Sequence, residues 1–228
     1  GAGSRRIIYS DADNNITSNI LLEENSYRFP LRQNLKMGIE RYFENESLLA
    51  FDLTYINHKN DDSTSTLTTD NLTSEITNAY TINNGSGYDL NYGVGYFIDN
   101  KKDNTTFSIQ FDYDEHSDDG ISIYTFSSED IGQQIEDNGV TRVFAIDYSA
   151  PIPNPFNDKS KYEFGLKIDT EKDKHYADIE NEPFNWDSDN TISSLYFNTA
   201  YYFTESFGIQ VGARYEMQEK ESSISYNE

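Results

Sequence analysis

The chain of 228 residues carries 40 acidic and 17 basic side chains, a formal net charge of -23, and no cysteine. That balance excludes a nucleic-acid partner, whose phosphates such a surface would repel, and the missing thiols exclude disulfides, thiolate metal sites and cysteine nucleophiles. Aromatic residues nonetheless make up 14% of the chain, which is too rich for a disordered acidic polymer, and the length suits one all-β domain.

Residues 1–26 hold one candidate strand end, Arg5 to Tyr9, and otherwise read as loop. From Leu31 an alternation sets in, with Leu31, Leu35, Met37, Ile39 and Phe43 on one face and Gln33 and Arg41 as exceptions to it. Lys36 and Glu40 fall on the opposite face. After a turn near Asn45, Leu49, Phe51, Leu53 and Tyr55 alternate with Ala50, Asp52 and Thr54. A period of two is the signature of a strand, because successive side chains leave a pleated backbone on opposite sides.

A long Thr- and Asn-rich acidic stretch, residues 57–87, reads as loop, and the clearest hairpin follows it. Tyr88, Leu90, Tyr92, Val94, Tyr96 and Ile98 share a face, the chain turns near Lys101, and Phe107, Ile109, Phe111 and Tyr113 return on the same face. Asp89 and Asp112 lie opposite. Eleven residues from Tyr88 to Ile98 exceed a typical soluble strand and match the 9 to 11 of a membrane-crossing one.

A second acidic stretch leads to Arg142, Phe144, Ile146 and Tyr148, with Asp147 on the other face, until Pro151, Pro153 and Pro155 end the ladder around a turn near Phe156. The return strand sets Tyr162, Phe164, Leu166 and Ile168 against Glu163, Lys167 and Asp169. A third acidic stretch with the only tryptophan, Trp186, precedes the last hairpin. Its apolar face is Leu195, Phe197, Tyr201 and Phe203, then Ile209, Val211, Ala213 and Tyr215, and Arg214 and Glu216 occupy the other.

These readings predict an all-β fold: an antiparallel up-and-down transmembrane β-barrel, or a segment of one, of about eight strands in four hairpins. Short turns lie at one end and long acidic loops at the other, as in outer-membrane barrels. The apolar face, from Leu90, Tyr92 and Val94 to Ile209 and Val211, is expected to meet outer-membrane lipid. The charged face, Lys36, Glu40, Asp52, Asp89, Asp112, Asp147, Glu163, Lys167, Arg214 and Glu216, is expected to line a lumen.

The stretches YRFPLRQNLKMGIERYFENESLLAFDLTY, NYGVGYFIDNKKDNTTFSIQFDY, FAIDYSAPI with KYEFGLKID, and LYFNTAYYFTESFGIQVGARYE resemble the barrel portion of TonB-dependent receptor-like outer-membrane proteins of the Bacteroidetes type. The last of them is similar to the family's recurring G-x-R-x-E return strand, here Gly212, Arg214 and Glu216. The resemblance implies a Gram-negative outer membrane, ligand uptake or a scaffold role, an energy-transducing periplasmic partner reached through N-terminal parts, and surface lipoproteins or other membrane subunits as partners. The family's plug domain and a signal peptide are absent from these residues, so 1–228 is expected to be a single barrel domain or a fragment of a larger barrel.

The alternative is a secreted or surface-exposed soluble β-protein that binds a ligand through aromatic, acidic loops. Catalysis is not expected, because His58, His116 and His175 read as three exposed loop residues and no G-x-S-x-G, HExxH or P-loop accompanies them. Nor is any cofactor or metal site expected. The acidic pairs Asp61 with Asp62, Asp118 with Asp119 and Asp187 with Asp189 are the candidates weighed for Ca²⁺, and none has an EF-hand spacing.

Overall fold

In a computed structural model the chain is one antiparallel sheet of nine strands, β1 to β9, each hydrogen-bonded to the next in chain order. The structure describes residues 1–10, 16–44, 46–71, 73, 75–126, 129–155, 159–179 and 182–226. The strands are β1 Ala2–Ser10, β2 Ile16–Tyr42, β3 Ser47–Asp70, β4 Glu75–Asn100, β5 Thr105–Phe126, β6 Glu129–Pro151, β7 Lys161–Ile179, β8 Glu182–Tyr202 and β9 Gly208–Tyr226. No helix occurs among the described residues, and β1 and β9 are free edges, so the sheet is not closed.

Three expectations are corrected. The strands number nine rather than eight, because residues 1–26, read as loop with one strand end, form β1 and the start of β2. The long polar stretches are not loops either: β3 runs on to Asp70, β4 begins at Glu75, β5 ends at Phe126 and β8 begins at Glu182, so they are strand extensions joined by short connections. Trp186 and the three histidines therefore sit on strands. Side chains polar on both faces give no period to read, yet backbone hydrogen bonding continues from the apolar segment below.

The turns near Lys101 and Glu205 fall where the sequence places them, while Asn45 and Phe156 lie outside the described residues. Glu46 and Asn104 take φ values of 60° and 51°, the left-handed conformation that closes a tight hairpin. The Glu46 carboxylate also accepts the Lys101 N–H at 3.1 Å, which ties two neighbouring turns together. At the last hairpin Thr204 Oγ1 accepts the Phe207 N–H at 3.0 Å.

The proline-rich connection is pinned at Ser160, which is fully buried. Its Oγ accepts from Asn154 Nδ2 at 2.6 Å and from the Tyr202 N–H at 3.0 Å, and its carbonyl accepts from the Ile152 N–H at 2.9 Å. No packed core exists among the described residues, whose only buried hydrophobic side chains are Ala150 and Ala177.

Candidate functional site

From β2 to β9 the register runs without a bulge, so directly paired residues share a face along the whole row. One row reads Leu49, Tyr96, Ile109, Ile146, Leu166, Leu195, Tyr215. The next reads Ile39, Phe51, Val94, Phe111, Phe144, Ile168. Another joins Ile98, Phe107, Tyr148, Phe164 and Phe197. The alternations read separately in each segment thus form one continuous apolar face, which also carries Leu90, Tyr92, Ile209 and Val211.

Aromatic rings pair across strands on this face, with Tyr92 stacked on Tyr113 at 4.8 Å and Tyr148 tilted against Phe164 at 5.2 Å. Of the two sequence exceptions, Arg41 lays its guanidinium 5.0 Å over the Phe43 ring at the lower rim. No described residue covers the face. Ile39 is 66% exposed, Leu195 55% and Val94 41%.

The apolar band does not follow the register rows. Its lowest member on β3 is Leu49, and the row through Leu49 arrives on β9 at Tyr215, near the top of the band there, whose lowest strand member is Ile209. The band therefore slides by about its own height across six strand steps. Taking the roughly 6 residues from Tyr215 to Ile209 at about 3.3 Å each against six spacings of about 4.8 Å gives a slant of about 35° between band and strand normal.

The opposite face carries every charged residue expected to line a lumen. Glu40, Ala50, Gly95, Gln110, Ala145, Lys167, Ser194 and Glu216 make one row, and Gly38, Asp52, Gly93, Asp112, Val143 and Asp169 the next. Lys36, Asp89, Asp147, Glu163 and Arg214 fall in phase with them. Arg214 pairs with Glu216 at 2.7 Å, and Lys167 with Asp169 at 3.1 Å.

This face is crowded. A Cβ added at Gly93 would stand 2.7 Å from Asp52 Oδ1 and 2.9 Å from Asp112 Oδ1, and comparable clashes arise at Gly87, Gly95, Gly139, Gly165, Gly208 and Gly212. All seven glycines project to the polar face. At Gly132, which projects to the apolar face, a Cβ would meet nothing within 4 Å.

The three histidines, read as separate loop residues, stand on this polar face in two adjacent rows. His58 Nε2 lies 2.6 Å from Asp118 Oδ1, while His175 Nδ1 and His116 Nε2 lie 3.0 and 3.9 Å from Asp137 Oδ1. His175 also stacks on Trp186, with centroids 4.8 Å apart. Burial and the nearby Glu171 hold the Asp173 carboxyl above the ordinary carboxylate range, against the opposing pull of His116 and His175.

Asp61 and Asp62, like Asp118 and Asp119, are consecutive on a strand and so point to opposite faces, which separates two of the three pairs weighed for Ca²⁺, whereas Asp187 and Asp189, two apart on β8, share a face. Among the described residues no group of three or more His, Asp or Glu side chains is arranged to hold a metal ion. No protein-family model matches the chain, and no curated protein is significantly similar to it in sequence.

Proposed function

We propose that this sheet is a segment of a transmembrane antiparallel β-barrel in the outer membrane of a Gram-negative bacterium. The slant of the apolar band carries the proposal. A flat slab of lipid crossing strands tilted by 35 to 45° wets a band that shifts by about one residue per strand, which is the observed slide. Leu90, Tyr92, Val94, Phe107, Ile109, Phe111, Phe144, Ile146, Phe164, Leu166, Ile209 and Val211 then meet lipid. Lys36, Glu40, Asp52, Asp89, Asp112, Asp147, Glu163, Lys167, Arg214 and Glu216 face a hydrated lumen, which tolerates charge.

Two further facts support it. The accessible surface is 15898 Å², against about 10,600 Å² expected for a compact soluble monomer of this mass, and a soluble sandwich would need a second sheet over the apolar face. The close side-chain approaches at seven glycines of the polar face are what curvature toward that side produces. The glycines there accommodate it.

The edges argue for a larger barrel. Unpaired backbone is not tolerated in lipid, yet β9 has a free edge and β1, paired to β2 only from Ile16 to Asn25, leaves the rest of β2 open. Nine antiparallel strands also leave β1 and β9 parallel, whereas single-chain bacterial barrels have even strand numbers. On the resemblance to TonB-dependent receptor-like proteins, the barrel takes up a ligand or serves as a scaffold, with an energy-transducing periplasmic partner and surface lipoproteins as its associates.

The test is the solvent that the apolar face meets. The full-length protein should fractionate with outer membranes, require detergent for extraction, and migrate differently on a detergent gel before and after boiling. A monodisperse, detergent-free monomer would leave the soluble ligand-binding alternative standing instead.

A further inference from the structure

The β5 and β6 extensions are paired through an electrostatic conflict. Asp118 is directly opposite Asp137, and the next rung sets Asp119 opposite Glu136. Like charges directly opposed destabilise a ladder. On the polar face the conflict is bracketed by imidazoles: His58 reaches Asp118, and His175 and His116 flank Asp137. Asp137 Oδ1 is buried and accepts no hydrogen bond of good geometry, although His175 Nδ1 is only 3.0 Å away.

The space for this cluster is built into the backbone. A Cβ on Gly139 would stand 2.7 Å from His116 Nε2 and 2.8 Å from Asp173 Oδ1, and one on Gly87 would stand 2.9 Å from His58 Nε2. Every strand around the cluster contributes to its charge. His58 faces Arg32 on β2, Asp89 on β4 and Asp118 on β5. His116 faces Asp89 on β4, Asp114 and Asp118 on its own strand, Asp137 on β6 and Asp173 on β7. His175 faces Asp137 on β6, Glu171 and Asp173 on β7, and the neutral Trp186 on β8. Fixed cations of this face stand on β2 as Arg28, Arg32 and Lys36, on β9 as Arg214 and Lys220, and on β7 as Lys161 and Lys167, which pair with Glu163 and Asp169 toward the turns. Among the described residues of β3 to β6, and beside His175 on β7, only protonated histidine can supply positive charge to this face.

We propose that these histidines form a proton-operated latch, in which imidazolium side chains hold the β5 and β6 extensions together across opposed carboxylates and release them when the protons leave. Histidine as a residue type changes charge between about pH 5 and 8, which sets the two pH values at which the latch is compared. It rests on register and charge alone and stands independently of the membrane reading.

Hydrogen exchange of the full-length chain in detergent micelles tests it, read as protection factors at pH 5 and pH 8 so that the intrinsic pH dependence of exchange cancels. Amides in 115–121 and 134–140 should be roughly tenfold better protected at pH 5, the equivalent of about one unit of proton linkage, with no change below Tyr113 and Arg142. The triple variant His58→Gln, His116→Gln, His175→Gln should lose the difference by falling to low protection at both pH values. Asp118→Asn with Asp137→Asn should lose it by staying protected at both, and it decides the matter if the histidine variant fails to fold. Equal protection of the unmodified chain at the two pH values, or a difference that survives in either variant, would overturn the latch. Protection at pH 5 that a chelator abolishes would also overturn it, in favour of a bound cation.

Discussion

Tyr196 on β8 lies across the bare backbone of Gly165 on β7, its direct register partner, and donates its hydroxyl to Asp147 one strand further on. One side chain thereby spans three strands of the polar face. A Cβ on Gly165 would stand 2.6 Å from Tyr196 Cζ, so the ring must leave if the glycine gains a side chain. Gly165→Val should cost about 1 to 3 kcal/mol through overpacking, whereas Gly132→Val, with no atom within 4 Å to meet, should be nearly neutral. Urea unfolding of both variants in lipid vesicles measures the difference. Equal midpoints would show that Tyr196 yields without cost.

What the sequence revealed and what it hid have a common cause. The apolar face was legible because lipid or a core selects hydrophobicity at every second residue, and Tyr88 to Ile98 keeps that phase without a break. The same test is blind where both faces are polar, so the ladder from Asn57 to Asp70 read as loop. The histidine cluster was hidden for a different reason. It depends on register, which places His116 opposite Asp89 and Gly139 although they are far apart in sequence. A signal was available, since counting back from the turn at 101–104 pairs Asp89 with His116 once the strands are allowed to run past the apolar band.

Ile109 sits near the middle of the apolar band, between Tyr96 and Ile146 in its row. If the band meets lipid, Ile109→Arg should cost about 2 to 4 kcal/mol of stability in vesicles. The neighbouring Gln110 projects to the polar face, so Gln110→Arg should cost much less. Equal costs would mean that the two faces meet the same solvent.

Asp173 supplies a pH dependence of its own. Its pKa is raised above 3.8, so the folded extension binds that proton more tightly than the unfolded chain does. Its contribution to stability is therefore fully present below 3.8 and is lost as pH rises through the higher folded value. Limited proteolysis of the β7 and β8 extensions should accelerate over that rise, and Asp173→Asn should remove that part of the acceleration. Cleavage that slows with rising pH would contradict the sign.

Cysteine labelling from the two sides fixes which way the sheet crosses the membrane. The connections at 43–46, 101–104 and 203–207 follow directly on the apolar band, so they should lie in the periplasm, at the side of the short turns. At the other end, β4 continues for thirteen residues beyond Tyr88 to Glu75, which at a tilt of about 35° carries Glu75 roughly 35 Å above Tyr88. With no native cysteine to confuse the readout, single cysteines report each side. Cysteine at the exposed Asn71 should react with an impermeant maleimide on intact cells. Ser188, only 7% exposed, is a poor position for the label, although the extension that carries it lies on the same side. Cysteine at Glu44, Lys101 or Glu205 should react only after the outer membrane is permeabilised. Labelling of both sets on intact cells would be incompatible with a slab of lipid between them, and the slanted apolar band would then need another explanation.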